Sequence, residues 1–247
     1  MMRRLSAAIL ALLILTALLT ACSTELKVPD VSLMEYPGLK WNSSVKEVKK
    51  ALNLEKTKIL ADEQAEYLQN SEYEIWHLVV TGIQLFGFEV EQANFEFIRY
   101  PGHDYGLMRI ELEYPSKAYI NTIKDNMIEI YNEGCSEAIQ SYYFNPQGEL
   151  VAHDMNSMAS APYAEEGFPH YWYSTAKGTE VLSAAAQERY VAHYMNNNPV
   201  LTRNALLEYL EKTPVVQVTC MARSDKETFQ VTFAANQFVH ILQQFED

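Results

Sequence analysis

Residues 93–113 read ANFEFIRYPGHDYGLMRIELE, and this stretch decides the fold class. Apolar side chains alternate with polar ones on both sides of a turn, at Ala93, Phe95, Phe97, Met108, Ile110 and Leu112. A period of two is typical of a β-strand with one buried face. The segment 101–106, PGHDYG, is rich in turn formers. We therefore expect a β-hairpin that places one of its faces in the core.

The same alternation recurs along much of the chain. It predicts strands at 73–80, 84–90, 93–99, 107–113, 138–145, 149–153, 170–174, 214–222 and 228–234. Neighbouring strands joined by short turns form antiparallel sheets. Since helical segments lie between the groups of strands, we expect an α+β fold in which an antiparallel sheet packs with a few helices. Residues 55–71 are polar and show no clear period.

Helices are predicted at 44–53, from 116 to about 131, at about 180–195 and at 202–211. The first begins with a capping box, because Ser44 is followed three residues later by Glu47. The C-terminal tail is ambiguous: the spacing of Phe238, Ile241 and Phe245 fits a helix, and the adjacent hairpin favours a third strand. We expect the strand.

The chain has 247 residues, which fits one two-lobed unit as well as two small α+β domains. The boundary is expected near 135–138. This division gives an N-terminal α+β lobe at 36–135 and a C-terminal α+β lobe at 136–247.

The N-terminus has the composition of an export signal. Arg3 and Arg4 precede an apolar run from Leu5 to Leu19, which is shorter than the roughly 20 residues that a membrane-spanning helix needs. The run ends in Leu19-Thr20-Ala21-Cys22. These four residues resemble the lipobox of bacterial lipoproteins at every position. An ordinary signal peptide and an uncut anchor helix are the alternatives.

The resemblance to the lipobox implies that residues 1–21 are a signal peptide and that Cys22 becomes the lipidated N-terminus. Its thiol would carry a diacylglycerol, with acyl chains such as palmitate, and residues 22–35 would form a tether. Two or more acyl chains make such an attachment stable. We expect a lipid anchor in the cell membrane, on its outer, extracytoplasmic side.

The net charge of −13 bears on the partner. Nucleic-acid binding needs clustered lysines and arginines, and this chain has 19 of them against 32 acidic residues. We expect the lipid bilayer as a partner, through Cys22, and no nucleic acid.

Two cysteines remain after Cys22 is assigned to lipid. In an exported protein Cys135 and Cys220 form an even pair, which makes a disulfide between them one interpretation. Two unpaired thiols are the other interpretation, since Cys220 lies in an apolar strand pattern. No spacing of the metal-binding CxxC type is present.

Residues 37–54, which open with PGLKWNSSVKEV, resemble the start of small envelope lipoproteins of the SmpA/OmlA type and of the fold-related β-lactamase inhibitor protein. In that family a Gly-Met-Thr-x-x-x-Val segment opens the first helix. Val48 matches the valine and Ser44 resembles the threonine. The resemblance implies an α+β module that binds other envelope proteins. Any capped amphipathic helix also fits these residues.

Motifs that carry chemistry are weak in this sequence. Ser174 and Lys177 fit the S-x-x-K pattern of penicillin-binding proteins, but Ser43 and Lys46 fit it equally well, and no S-D-N or K-T-G follows. The two His-Asp pairs fall in a turn and at a strand end, and no H-E-x-x-H is present. We expect no enzyme activity, no bound metal and no cofactor. An envelope hydrolase is the alternative.

Aromatic side chains concentrate in and after the irregular segment 155–169. Loops on a rigid scaffold often carry recognition, and exposed rings suit a protein or glycan partner. We therefore predict a binding patch there and a non-enzymatic binding or envelope-assembly role. The patch comprises Tyr163, Phe168, Tyr171 and Trp172.

Overall fold

The computed structural model describes residues 30–55, 58–65, 72–136, 141–153, 168–222 and 226–246. The predictions for Cys22, Tyr163 and most of the irregular segment 155–169 lie outside these residues.

Antiparallel pairing confirms the predicted fold class. Within the described residues the strands are β1 (Ile59–Gln64), β2 (Glu74–Val80), β3 (Gln84–Leu85), β4 (Phe88–Glu89), β5 (Gln92–Arg99), β6 (Gly106–Tyr114), β7 (Ser141–Phe144), β8 (Leu150–His153), β9 (His170–Tyr173), β10 (Gln217–Ala222) and β11 (Phe229–Ala234). Seven of them form one sheet in the order β1-β2-β5-β6-β11-β10-β9. The remaining four form two separate hairpins, β3-β4 and β7-β8. The molecule is an α+β fold.

The α-helices in the described part of the chain are α1 (Val45–Ala51), α2 (Ile120–Tyr131), α3 (Gly178–Val181), α4 (Ala184–Asn197), α5 (Arg203–Lys212) and α6 (Asn236–Phe245). A 3-10 helix at Lys117–Tyr119 precedes α2. The predicted capping box is confirmed, because Ser44 and Glu47 exchange hydrogen bonds with each other's backbone N–H. The helix predicted at about 180–195 is divided at Ser183, whose hydroxyl accepts from Ala186 N and caps α4. No helix among these is long and apolar enough to cross a membrane.

The prediction of a third strand in the tail is wrong, since residues 236–245 form helix α6. Both edges of β11 are already occupied, by β10 on one side and by β6 on the other. A strand that followed β11 directly could therefore not form a hairpin with it. The tail instead buries Val239, Ile241 and Phe245 as one helix.

The strands of the two predicted lobes share a single sheet. Strands β1, β2, β5 and β6 precede residue 135, and β9 to β11 follow it. The central contact between the two groups is the pairing of β6 with β11, from Tyr114 opposite Phe229 to Arg109 opposite Ala234. The boundary near 135–138 therefore does not separate two sheets.

Residues 30–35, which the sequence places in the tether, belong to the folded domain. Met34 is completely buried, the Trp41 indole donates to Leu33 O, and the Tyr131 hydroxyl donates to Glu35 O at 2.7 Å. The predicted tether boundary at residue 35 is too late, because a buried side chain and several hydrogen bonds fix this segment.

Two hydrophobic clusters stabilise the fold. The larger one lies between the sheet and α1, α2 and the N-terminal segment, and the smaller one joins α4, α5 and α6. Helix α6 takes part in both, since Val239 belongs to the first cluster and Ile241 and Phe245 to the second. Its position is therefore fixed from two sides.

Phe233 on β11 is a central residue of the larger cluster. It is completely buried, and its ring lies 5.6 Å from that of Tyr36 and 6.0 Å from that of Tyr131. We expect Phe233→Ala to lower the free energy of unfolding by about 3–5 kcal/mol, because it leaves a cavity. Met221→Ala, on the neighbouring strand at an exposed position, should change it by about 0.5 kcal/mol or less. Urea unfolding of both variants tests this, and equal effects would contradict the assigned core.

Candidate functional site

A cleft opens where the ends of β2 and β5 meet helices α4 and α6. It has a volume of about 500 Å³, within the range of ligand pockets. Glu72, just before β2, and Tyr100, just after β5, form one wall. Tyr190 and Tyr194 on α4 form the opposite wall, and His240 on α6 contacts Tyr100 at the base of the cleft. A second hollow of about 330 Å³ adjoins the cleft, since Glu72 and Tyr100 line both.

Tyr100 and His240 form the floor of the cleft. The Tyr100 hydroxyl lies 2.9 Å from His240 Nδ1, within hydrogen-bonding distance. Tyr73 packs edge-on against the imidazole, with ring centroids 5.0 Å apart, and its ring lies 5.5 Å from that of Tyr100. Three aromatic rings from three separate segments therefore meet at one point.

Burial keeps both partners of this hydrogen bond uncharged. It lowers the pKa of His240 below its ordinary value of 6.5, since the charged imidazolium loses hydration. The pKa of Tyr100 is raised to about 12, first by burial and then by the nearby Tyr73, Tyr194 and Glu72. At neutral pH the floor of the cleft is therefore polar but neutral.

The opposite wall is formed by one face of α4. Tyr190 and Tyr194 are one helical turn apart, which places them on the same side, and their ring centroids are 4.8 Å apart. Tyr190 is 3% exposed and packs against Phe245, whereas Tyr194 is 38% exposed. Tyr194 is therefore the more accessible of these two rings, and Tyr190 supports it.

Arg99 carries a positive charge at the adjoining hollow, and its neighbours compensate that charge. Its guanidinium pairs with the Glu74 carboxylate and lies 4.4 Å over the ring of Tyr105. The Tyr105 hydroxyl donates to the same carboxylate at 2.6 Å. These hydrogen bonds, from Tyr105 first and from Arg99, lower the pKa of Glu74.

The sequence did not predict this cleft. Its residues come from four segments that are far apart in the chain, and none of them forms a recognisable motif. The available signal was the pair Tyr190 and Tyr194 at helical spacing, which indicates an aromatic stripe but does not show what faces it.

The predicted aromatic patch does not form one surface. Trp172 is completely buried and its indole donates to Asn132 O at 2.9 Å, so its place in an exposed patch is wrong. Tyr171, the preceding strand residue, points to the other face of the sheet, where it stacks on Tyr173. Phe168 is half-buried against the core, with the Lys124 ammonium 5.4 Å from its ring.

The disulfide interpretation of Cys135 and Cys220 is also wrong, because no disulfide joins them. Cys135 exchanges two backbone hydrogen bonds of 2.8 Å with Tyr171 on β9, and Tyr171 is paired on its other side with Thr219 on β10. Two strand spacings, about 10 Å, separate the backbones of the two cysteines. A disulfide requires Cα atoms within about 7 Å. Burial raises the pKa of Cys220 to about 12.

Ser174 and Lys177 are not arranged as a nucleophile and its base. The Ser174 hydroxyl oxygen accepts from Val216 N at 3.0 Å, and the Lys177 ammonium forms an ion pair with Glu211. That hydrogen bond raises the pKa of Lys177, which makes its ammonium a poorer source of a free amine. Ser174 and Lys177 therefore have separate structural roles, a hydrogen bond from the Val216 backbone and a surface ion pair, although their spacing fits S-x-x-K.

The described residues contain no group of three or more His, Cys, Asp and Glu side chains that could hold a metal ion. His103 lies at the adjoining hollow, in the turn between β5 and β6. His153 ends β8, and the residue after it lies outside the described part of the chain.

No protein-family model matches the chain, and neither the curated proteins nor the solved structures contain a significant match. The resemblance of residues 37–54 to SmpA/OmlA-type lipoproteins therefore stays a prediction.

The buried His240 should make stability depend on pH. The unfolded chain binds a proton at this position near pH 6.5, whereas the folded protein binds it only at lower pH. The free energy of unfolding therefore decreases as the pH falls below about 6.5. We expect the free energy of unfolding to fall less between about pH 7.5 and about pH 5.5 in His240→Gln than in the unmodified protein. Urea unfolding at both pH values measures the difference, and an equal or larger fall in the variant would contradict the assignment.

Proposed function

We propose that this protein is an exported lipoprotein that binds a ligand in the cleft between β2, β5, α4 and α6 and does not change it chemically. The cleft carries the proposal: it has the volume of a ligand site and a lining of tyrosines with few charges. Tyrosine rings offer a large apolar surface together with a hydroxyl group, which suits recognition. The predicted partner, an envelope protein or a glycan, would insert one of its chemical groups into this cleft; we call that group the ligand group.

The proposed anchor is the lipid on Cys22, on the outer side of the cell membrane. Asp30 is the first described residue, and the segment after it is fixed to the domain. The eight residues that lead from Cys22 to Asp30 could span at most about 29 Å if they were fully extended. The binding domain would therefore stay close to the bilayer, where its ligand group would be presented.

Metabolic labelling with a fatty acid tests the anchor. We expect the unmodified chain to incorporate label and to fractionate with membranes, and Cys22→Ala to do neither, since the thiol is the site of acylation. Cys135→Ala is the matched control and should be labelled normally. Equal labelling of Cys22→Ala would contradict the lipoprotein assignment.

A ligand screen tests the cleft. Small organic cations, organic anions and neutral sugars are added in turn to the full chain, and the midpoint of thermal unfolding is measured. A compound that binds the folded state raises this midpoint. We expect at least one class to do so in the unmodified protein and to lose the effect in Asn236→Trp, where an indole at the exposed start of α6 fills the cleft.

The matched control is Tyr143→Trp, which enlarges an exposed aromatic side chain on β7 that does not line the cleft. It should leave the effect of the ligand unchanged. If no class raises the midpoint, or if Asn236→Trp leaves the increase intact, the cleft is not the ligand site.

A further inference from the structure

We infer that the ligand group held by the cleft is an organic cation of the quaternary ammonium type, such as the trimethylammonium group of choline. This inference rests on the proposed function and specifies the chemistry of its site. The same group occurs on a free choline and on a phosphocholine headgroup.

The first reason is the aromatic lining. A cation is attracted to the face of a tyrosine ring within about 6 Å of its centroid, and quaternary ammonium groups are recognised by several such rings together. Tyr100 lines the cleft on the sheet side, and Tyr190 and Tyr194 line it on the helix side. Tyr73 lines the adjoining hollow. Glu72, Tyr100 and Tyr194 all line the same cleft, so a ligand in it can contact groups from the sheet side and the helix side.

The second reason is the balance of charges. Among the described residues that line the main cleft, Glu72 supplies a carboxylate, and lysine and arginine are absent. His240 is kept neutral by burial, and Arg99 in the adjoining hollow is engaged with Glu74. His193 adds a second imidazole to the lining, next to Tyr194. An anion would find no lysine or arginine in the main cleft, whereas a cation would have the Glu72 carboxylate and the faces of the tyrosines.

The third reason is the electrostatic field that the net charge of the whole chain produces. Its formal charge of −13 attracts cations towards the surface and repels anions. A neutral sugar is the rival ligand, because Asn236, Gln237 and Gln244 add amide groups to the lining. Tyrosine faces and amides would serve a sugar, but the exposed Glu72 carboxylate in the cleft wall gives a cation an additional attraction that a neutral ligand lacks.

The test compares choline with 3,3-dimethylbutan-1-ol, which has the same shape and no charge. Calorimetric titration of the full chain in detergent should give binding of choline that is roughly tenfold tighter than that of the neutral alcohol, as a cation–π contribution of 1–2 kcal/mol implies. Phosphocholine is titrated in parallel. Tighter binding of phosphocholine than of choline would identify a headgroup as the source, and the reverse would identify the free cation.

Two pairs of variants identify the groups responsible. Glu72→Gln should weaken choline binding roughly fivefold or more with an unchanged midpoint of unfolding, since the residue is exposed, and Glu129→Gln on α2 is its control. Tyr194→Ala should weaken binding roughly tenfold, whereas Tyr194→Phe should retain most of it, because the ring face and not the hydroxyl holds the cation.

Equal binding of the alcohol and choline would overturn the inference, as would unchanged affinity in Glu72→Gln and Tyr194→Ala. If choline fails but a sugar or an anion binds in the ligand screen, the cation is wrong and the binding function stands. If no class binds at all, the proposed function itself fails.

Discussion

The antiparallel pairing of β6 with β11 is the contact on which the rest of the structure depends. Six residue pairs join a strand from the first half of the chain to one from the second half, in the middle of the seven-stranded sheet. Helix α6 starts directly after β11, where Ala235 N donates to Met108 O at 2.9 Å. This start determines where α6 crosses the sheet, and it brings His240 to the hydroxyl of Tyr100. The cleft therefore exists only when the two halves are paired.

The cleft combines rigid and accessible parts. Tyr100 and Tyr190 line the cleft but are almost completely buried, so packing fixes the positions of their rings. Tyr194 is exposed on the next turn of α4, and Glu72 is exposed beside β2. Because the supporting side chains are fixed by packing, the exposed groups are held apart at a distance that leaves room for a ligand. Such preorganisation reduces the entropy lost on binding.

Much of the fold could be predicted from the sequence, because most strands have one buried face and therefore alternate clearly. Strand β1 was missed, since an edge strand with little burial shows no such period. The tail was misassigned because the edges of β11 are occupied by tertiary pairing, which local spacing does not reveal. Trp172 was misplaced for a similar reason: alternation shows that one face is buried, but not which one. The cleft joins distant segments, so no local pattern could predict it.

The central claim is that a quaternary ammonium group binds between the rings of the cleft, and a crystal structure with tetramethylarsonium tests it most directly. Arsenic scatters anomalously, so its position is found independently of the protein phases. We expect one anomalous peak within about 6 Å of the rings of Tyr100 and Tyr194, near the Glu72 carboxylate. A peak on any other surface, or none at a concentration that saturates binding in solution, would contradict the account.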